Sequence, residues 1–149
     1  MKYLVVLACL LAATYAAISP ELMEKYKEKL HKLGEECKGE VGATDDDIKP
    51  ILKHDPPTTE NGKCFLACMN KKIGFQDKNG KISKEGTMDV LDEIKAVDED
   101  LYEKMKKVAD TCLEEVKDAD NECETALHLC ICVKREKTAN GIPEVDWSR

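Results

Sequence analysis

Aromatic residues make up only 5% of this 149-residue chain, with a single tryptophan, and alternating β-branched runs never exceed a few positions. Such a sequence has little material for a sheet. Serine is scarcer still: Ser19, Ser83 and Ser148 are the only ones, and none sits in a nucleophile elbow. The three histidines, His31, His54 and His128, are scattered, which argues against a zinc site. There is no Asn-x-Ser/Thr sequon, no internal repeat, and no membrane-spanning apolar run after the first residues. These absences weigh against serine hydrolysis, zinc chemistry, N-glycosylation and stable membrane insertion.

What is present begins with a leader. Residues 1–17, "MKYLVVLACLLAATYAA", carry Lys2, an apolar run from Tyr3 to Ala13, and small residues at the end. This is the anatomy of a secretory signal peptide, with cleavage expected after Ala16 or Ala17. Secretion of residues 18–149 as one domain is therefore expected, with 138–149 as a C-terminal tail. Loss of Lys2 takes the formal charge from −7 to −8. That sign opposes binding to nucleic acid.

The periodicity is helical almost throughout. A first helix is expected over Pro20–Glu36, with Gly34 weakening its end, and a second after Thr44 carrying Ile48, Ile51 and Leu52. The Asp55–Pro57 stretch stops the second. A third holds "KCFLACMNKK" and ends near Gly74, and a fourth follows Ser83. The fifth, about Asp98 to Val116, places Leu101, Met105, Val108 and Cys112 at spacings of three and four. The sixth runs from about Asn121 to Lys137. The fold class is all-α: a compact, disulfide-linked bundle of six helices.

Once Cys9 leaves with the leader, seven cysteines remain, and in a small secreted chain they imply disulfides with one thiol left over. Cys64 and Cys68 are four apart, on one face of the third helix. They are poorly placed to bond each other, so each is expected to reach a different helix. Phe65, Leu66, Ala67, Met69 and Ile73 make that helix apolar over a wide arc, as befits a central post.

The gaps between cysteines then carry a resemblance. Cys37, twenty-six residues to Cys64, three to Cys68, forty-three to Cys112, ten to Cys123 and eight to Cys132 is similar to the pattern of the insect odorant-binding proteins. These pheromone- and general-odorant-binding proteins are secreted six-helix carriers. The resemblance implies three interlocked disulfides: Cys37–Cys68, Cys64–Cys123 and Cys112–Cys132. Cys130 departs from the six-cysteine pattern and is expected as a buried free thiol, packing as a small hydrophobe. An intermolecular disulfide is the alternative.

Two stretches imitate other chemistry. "DKNGKIS", from Asp77 to Ser83, has a calcium-loop flavour, but Lys81 and Met88 stand where ligands belong, so a turn is expected. His54–Asp55 lacks the flanking cysteines and calcium loop of secreted phospholipases. The chain is thus expected to be no enzyme and to need no cofactor or metal.

The function implied is a soluble carrier holding a small hydrophobic ligand, such as an odorant or pheromone, in an internal cavity. The alternative is a secreted structural or signalling protein that binds a protein partner on the same scaffold. Contact with an olfactory receptor, or with a second copy, is a further partnership compatible with the resemblance. The apolar stripes nominate Tyr26, Leu30, Leu52, Leu66, Met69, Phe75, Met88, Leu91, Met105, Val108, Leu129 and Val133 as the lining. Asn70, four after Leu66, is the candidate polar orienter. Family members are thought to release ligand in acid, and His128, between Leu127 and Leu129, is the candidate for a packing strain on protonation. The turn "ANGIP" and the apolar Val145 and Trp147 beyond it offer a lid over one mouth, with packing on the outside of the shell as the alternative.

Overall fold

The computed structural model describes residues 20–144. The leader therefore lies outside the described residues, as do Val145 and Trp147 of the candidate lid. Six helices follow in order: α1 (Pro20–Val41), α2 (Asp45–Leu52), α3 (Glu60–Ile73), α4 (Lys84–Lys95), α5 (Glu99–Glu115) and α6 (Glu122–Ala139). Extended pairing among the described residues is limited to one antiparallel bridge between Gln76 and Ile82.

Short polar side chains set the helix starts. Thr44 and Asp47 form a capping box: the Thr44 N–H donates to the Asp47 carboxylate at 2.8 Å, while the Thr44 hydroxyl accepts from the Asp47 N–H. Thr59, Ser83, Asp98 and Asn121 accept an N–H at the starts of α3, α4, α5 and α6. The Thr59 hydroxyl also donates to Asp47 at 2.7 Å, joining the starts of α2 and α3. Gly74 ends α3 with φ 115°, a conformation that favours glycine.

α1 continues five residues past its expected end. Gly34 sits inside it, and the Phe65 ring packs where its side chain would be, 3.8 Å from an ideal Cβ. Cys37, three residues on, is completely buried. Interior glycine costs a helix only about 1 kcal/mol, and burial of that magnitude is readily exceeded by packing a cysteine and a phenylalanine.

α3 is the central post. It packs against α1, α2 and α6, while α5 packs against α4 and α6. The core has two parts accordingly. Cys37, Ala43, Ile48, Phe65 and Cys68 form one between α1, α2 and α3. Val108, Cys112, Val116, Leu129, Cys132 and Ile142 form the other between α5, α6 and the start of the tail. Disulfides join Cys37 to Cys68, Cys64 to Cys123 and Cys112 to Cys132. The neighbours Cys64 and Cys68 thus reach two different helices, α6 and α1. Lysines of α3 reinforce both staples: Lys63 pairs with Glu124 and Lys71 with Glu122 of α6, each at 2.7 Å, and Lys72 with Glu40 of α1 at 3.0 Å.

A cavity between α1, α2, α3 and α6

One side of the first core part opens into a cavity of about 1060 Å³. Its apolar wall comes from Leu30 of α1, Ile48, Ile51 and Leu52 of α2, Phe65, Leu66, Met69 and Ile73 of α3, Phe75 just beyond, and Val133 of α6. The i, i+3, i+4 spacing of Leu66, Met69, Asn70 and Ile73 puts one face of α3 along the wall. Charged residues of the lining, among them Glu24, Glu28, Glu35, Asp45, Asp55 and Glu144, are exposed and form a rim.

Two ion pairs cross that rim. Lys38 of α1 pairs with Asp45 of α2, and Lys134 of α6 with Asp55 in the turn after α2. The hydrogen bond from Lys134 holds the Asp55 carboxyl below its ordinary range, and the same bond raises the Lys134 ammonium. His54, next to Asp55, has φ 60°, a left-handed conformation unusual for a non-glycine residue, and also lines the cavity.

Among the nominated residues, Leu30, Leu52, Leu66, Met69, Phe75 and Val133 meet on this wall, with Asn70 among them. Tyr26, Met88, Leu91, Met105, Val108 and Leu129 do not line it. Val108 and Leu129 are buried in the second core part, with Met105 against them. Leu91 is buried on α4, which packs on α5 rather than on α1. Tyr26 is exposed. An apolar stripe marks the buried face of a helix, and here α4, α5 and half of α6 bury their stripes on one another.

Ile48, Ile51, Phe65, Ile73 and Cys130 join the wall without having been nominated. The apolar arc of α3 was the signal for Phe65 and Ile73. The Cys130 thiol is free and half-buried, not fully buried. Burial raises its pKa, against the pull of Lys134 and Lys137. His128 is exposed on α6. The "ANGIP" turn does reverse the chain: the Ile142 N–H donates to the Lys137 carbonyl at 3.0 Å, burying Ile142 beside Val108 and Leu129. The Asp77 loop is closed by its own backbone, with Asn79 and Lys81 N–H groups donating to the Asp77 carboxylate.

Comparison with known proteins agrees with this architecture. Residues 19–136 match the PBP/GOBP family. General odorant-binding protein 28a of Drosophila melanogaster is 34% identical over 119 residues, covering 78% of this chain and 82% of that protein. The solved structure of odorant-binding protein dmelOBP28a from Drosophila melanogaster superposes with a TM-score of 0.69 at 32% identity, covering 80% of this chain and 98% of that one. A pheromone-binding protein from the cockroach Leucophaea maderae, solved in complex with the fluorescent reporter ANS, gives a TM-score of 0.60 at 30% identity. It covers 75% of this chain and 95% of that one. With a cysteine framework, a six-helix fold and a sequence match that all coincide, the chain belongs to the PBP/GOBP family of odorant-binding proteins.

Proposed function

We propose that this protein is a secreted, soluble carrier that holds small hydrophobic molecules in the α1–α2–α3–α6 cavity and moves them through an aqueous secretion. The observation that carries the reading is the cavity itself: apolar side chains from α1, α2, α3 and α6 line it, with charged residues at its rim. Its volume of about 1060 Å³ stands at the upper end of ligand pockets, so long chains or fused rings fit as well as small odorants. Burial drives the binding, at roughly 0.8 kcal/mol for each methylene removed from water. Leu66, Met69, Phe75 and Val133 would supply the apolar contact, with Met69 adapting to differing shapes. Asn70 would orient a polar group. The charged rim keeps the loaded protein in solution, and a net formal charge of −8 without the leader opposes its capture by anionic surfaces.

The leader supports secretion, and three disulfides suit an oxidising compartment. The test is fluorescence titration of the purified mature protein with ANS, followed by displacement with apolar competitors. Saturable enhancement, reversed by a long-chain alcohol or hydrocarbon, is expected. Folded protein that neither enhances ANS emission nor retains any apolar competitor would overturn the carrier reading in favour of a scaffold that binds a protein partner.

A further inference from the structure

Asn70 is the cavity residue with an uncharged amide, and its orientation is set from behind the wall. Gln76, two residues after Gly74, is 1% exposed and heads the fully buried side chains by volume. Its Nε2 donates to two backbone carbonyls, Gly80 at 2.7 Å and Glu122 at 3.1 Å. Carbonyl oxygens only accept, so this end of the amide must be the NH₂ group. The other end is then Oε1, and it accepts from Asn70 Nδ2 at 2.9 Å. Asn70 must therefore turn its own NH₂ toward Gln76. Its Oδ1 is left without a bonded partner among the described residues, and it is not a buried orphan. It is an unpaired acceptor on a residue that lines the cavity with Leu66, Met69 and Ile73 of the same helix.

A freely rotating asparagine offers a ligand either a donor or an acceptor. This one cannot, because turning it over would set Oδ1 against Oε1 and break the bond to Gln76. Gln76 in turn has no freedom to yield. Its N–H donates to the Asn70 carbonyl at 3.2 Å, and the loop behind it is pressed onto α6. A Cβ on Gly80 would stand 2.3 Å from the Glu122 Cβ. The Cys64–Cys123 bridge fixes α3 to α6 at the same place.

From this relay we infer that the cavity has a built-in hydrogen-bonding polarity. Asn70 is a specificity-determining acceptor, and Gln76 is the positioning residue that makes it one. The ligand class favoured is an elongated apolar molecule with an O–H or N–H donor, as in a long-chain alcohol. Acceptor-only molecules of equal size, such as ethers and esters, are disfavoured. The inference rests on the carrier reading of the same cavity.

Two isomers of equal atom count test it: dodecanol, which has a donor, and undecyl methyl ether, which has none. Each is used to displace ANS from the mature wild-type protein and from the Asn70→Leu and Gln76→Met variants. The expected result is that the dodecanol-to-ether affinity ratio falls by about three- to tenfold in Asn70→Leu, the span of one neutral hydrogen bond. Gln76→Met lowers the same ratio while ANS affinity holds, an effect that loss of packing alone would not produce. Should Gln76→Met fail to fold, hydrogen exchange of the Asn70 side-chain amide in the wild type takes its place. One slowly exchanging N–H, held by Gln76, is expected, and free rotation with fast exchange overturns the positioning role. A ratio equal in wild type and Asn70→Leu overturns the polarity and leaves the carrier reading standing. If neither isomer displaces ANS from the wild type this inference falls, and if ANS emission is not enhanced either, the carrier reading falls with it.

Discussion

Gly86, in the first turn of α4, packs directly on the backbone of Gly74, which closes α3. A Cβ on Gly86 would stand 1.9 Å from the Gly74 carbonyl oxygen. That contact sets how closely the α3 and α4 ends approach, and backbone cannot step aside as a flexible side chain can. Gly86→Ala should therefore destabilise the protein by about 1–3 kcal/mol, the usual cost of overpacking. Gly34→Ala should do the reverse. Its Cβ would meet the Phe65 ring at an ordinary 3.8 Å, and alanine stabilises a helix interior by about 0.5–1 kcal/mol over glycine. Urea midpoints of the oxidised proteins should move in opposite directions, and midpoints moving together would contradict this packing.

Leu66 lines the cavity, whereas Met105 packs against the second core part. Leu66→Glu places a carboxylate on the apolar wall, and ANS affinity should fall by at least about tenfold, or 1.4 kcal/mol. Met105→Ala should cost about 1–3 kcal/mol of stability, below the range for fully buried methionine because Met105 is half-buried. Its ANS affinity should stay within about twofold, since no lost contact faces the ligand. Circular dichroism confirms folding, and equal losses of ANS affinity in both variants would move the cavity to α5.

Acid should act on carboxylates held below their ordinary range. Asp47 is lowered by the Thr44 N–H, Asp55 by Lys134, Glu115 by Arg135 and Glu124 by Lys63. A depressed carboxylate binds fewer protons folded than unfolded, so its contribution is present above the unfolded pKa and lost as pH falls through the folded one. The thermal midpoint should thus be level from about pH 7 to 5 and decline below about pH 4, where ordinary carboxylates titrate. Asp55→Asn should make that decline shallower. A midpoint already falling between about pH 7 and 5.5 would assign the acid response to groups other than these carboxylates.

Cys130 should behave as a slow thiol. Its raised pKa leaves less thiolate at neutral pH than a free cysteine has. Reaction of the unreduced protein with Ellman's reagent should be slower than that of free cysteine at pH 7.5 and should accelerate as the pH rises past about 8.5, the ordinary thiol value. Because Cys130 lines the cavity, ANS at saturation should slow it further. An unchanged rate with ANS bound would place the probe elsewhere.

Local signals were well expressed in the sequence. Thr44, Ser83 and Gly74 announce helix ends because a side-chain oxygen or a left-handed backbone acts within a few residues. Gly34 misled for the same reason: its penalty is local, while the burial of Cys37 and Phe65 that outweighs it joins residues far apart in sequence. The stripes of Leu66 and Met105 look alike in one dimension. Only packing separates them, one onto the cavity and one onto the second core part.

The six helices, the helix ends at Thr44, Ser83 and Gly74, and the cysteine spacing that carried the family resemblance were determined by the sequence alone, since each is written within a turn of helix or in fixed intervals. Where the cavity opens, and which way Asn70 points, were decided by tertiary structure. Apolar burial is non-directional and accepts any apolar face, so pairing of faces depends on the whole chain at once. The Asn70 amide takes its orientation from Gln76, and Gln76 from the carbonyl of Glu122, 46 residues further along.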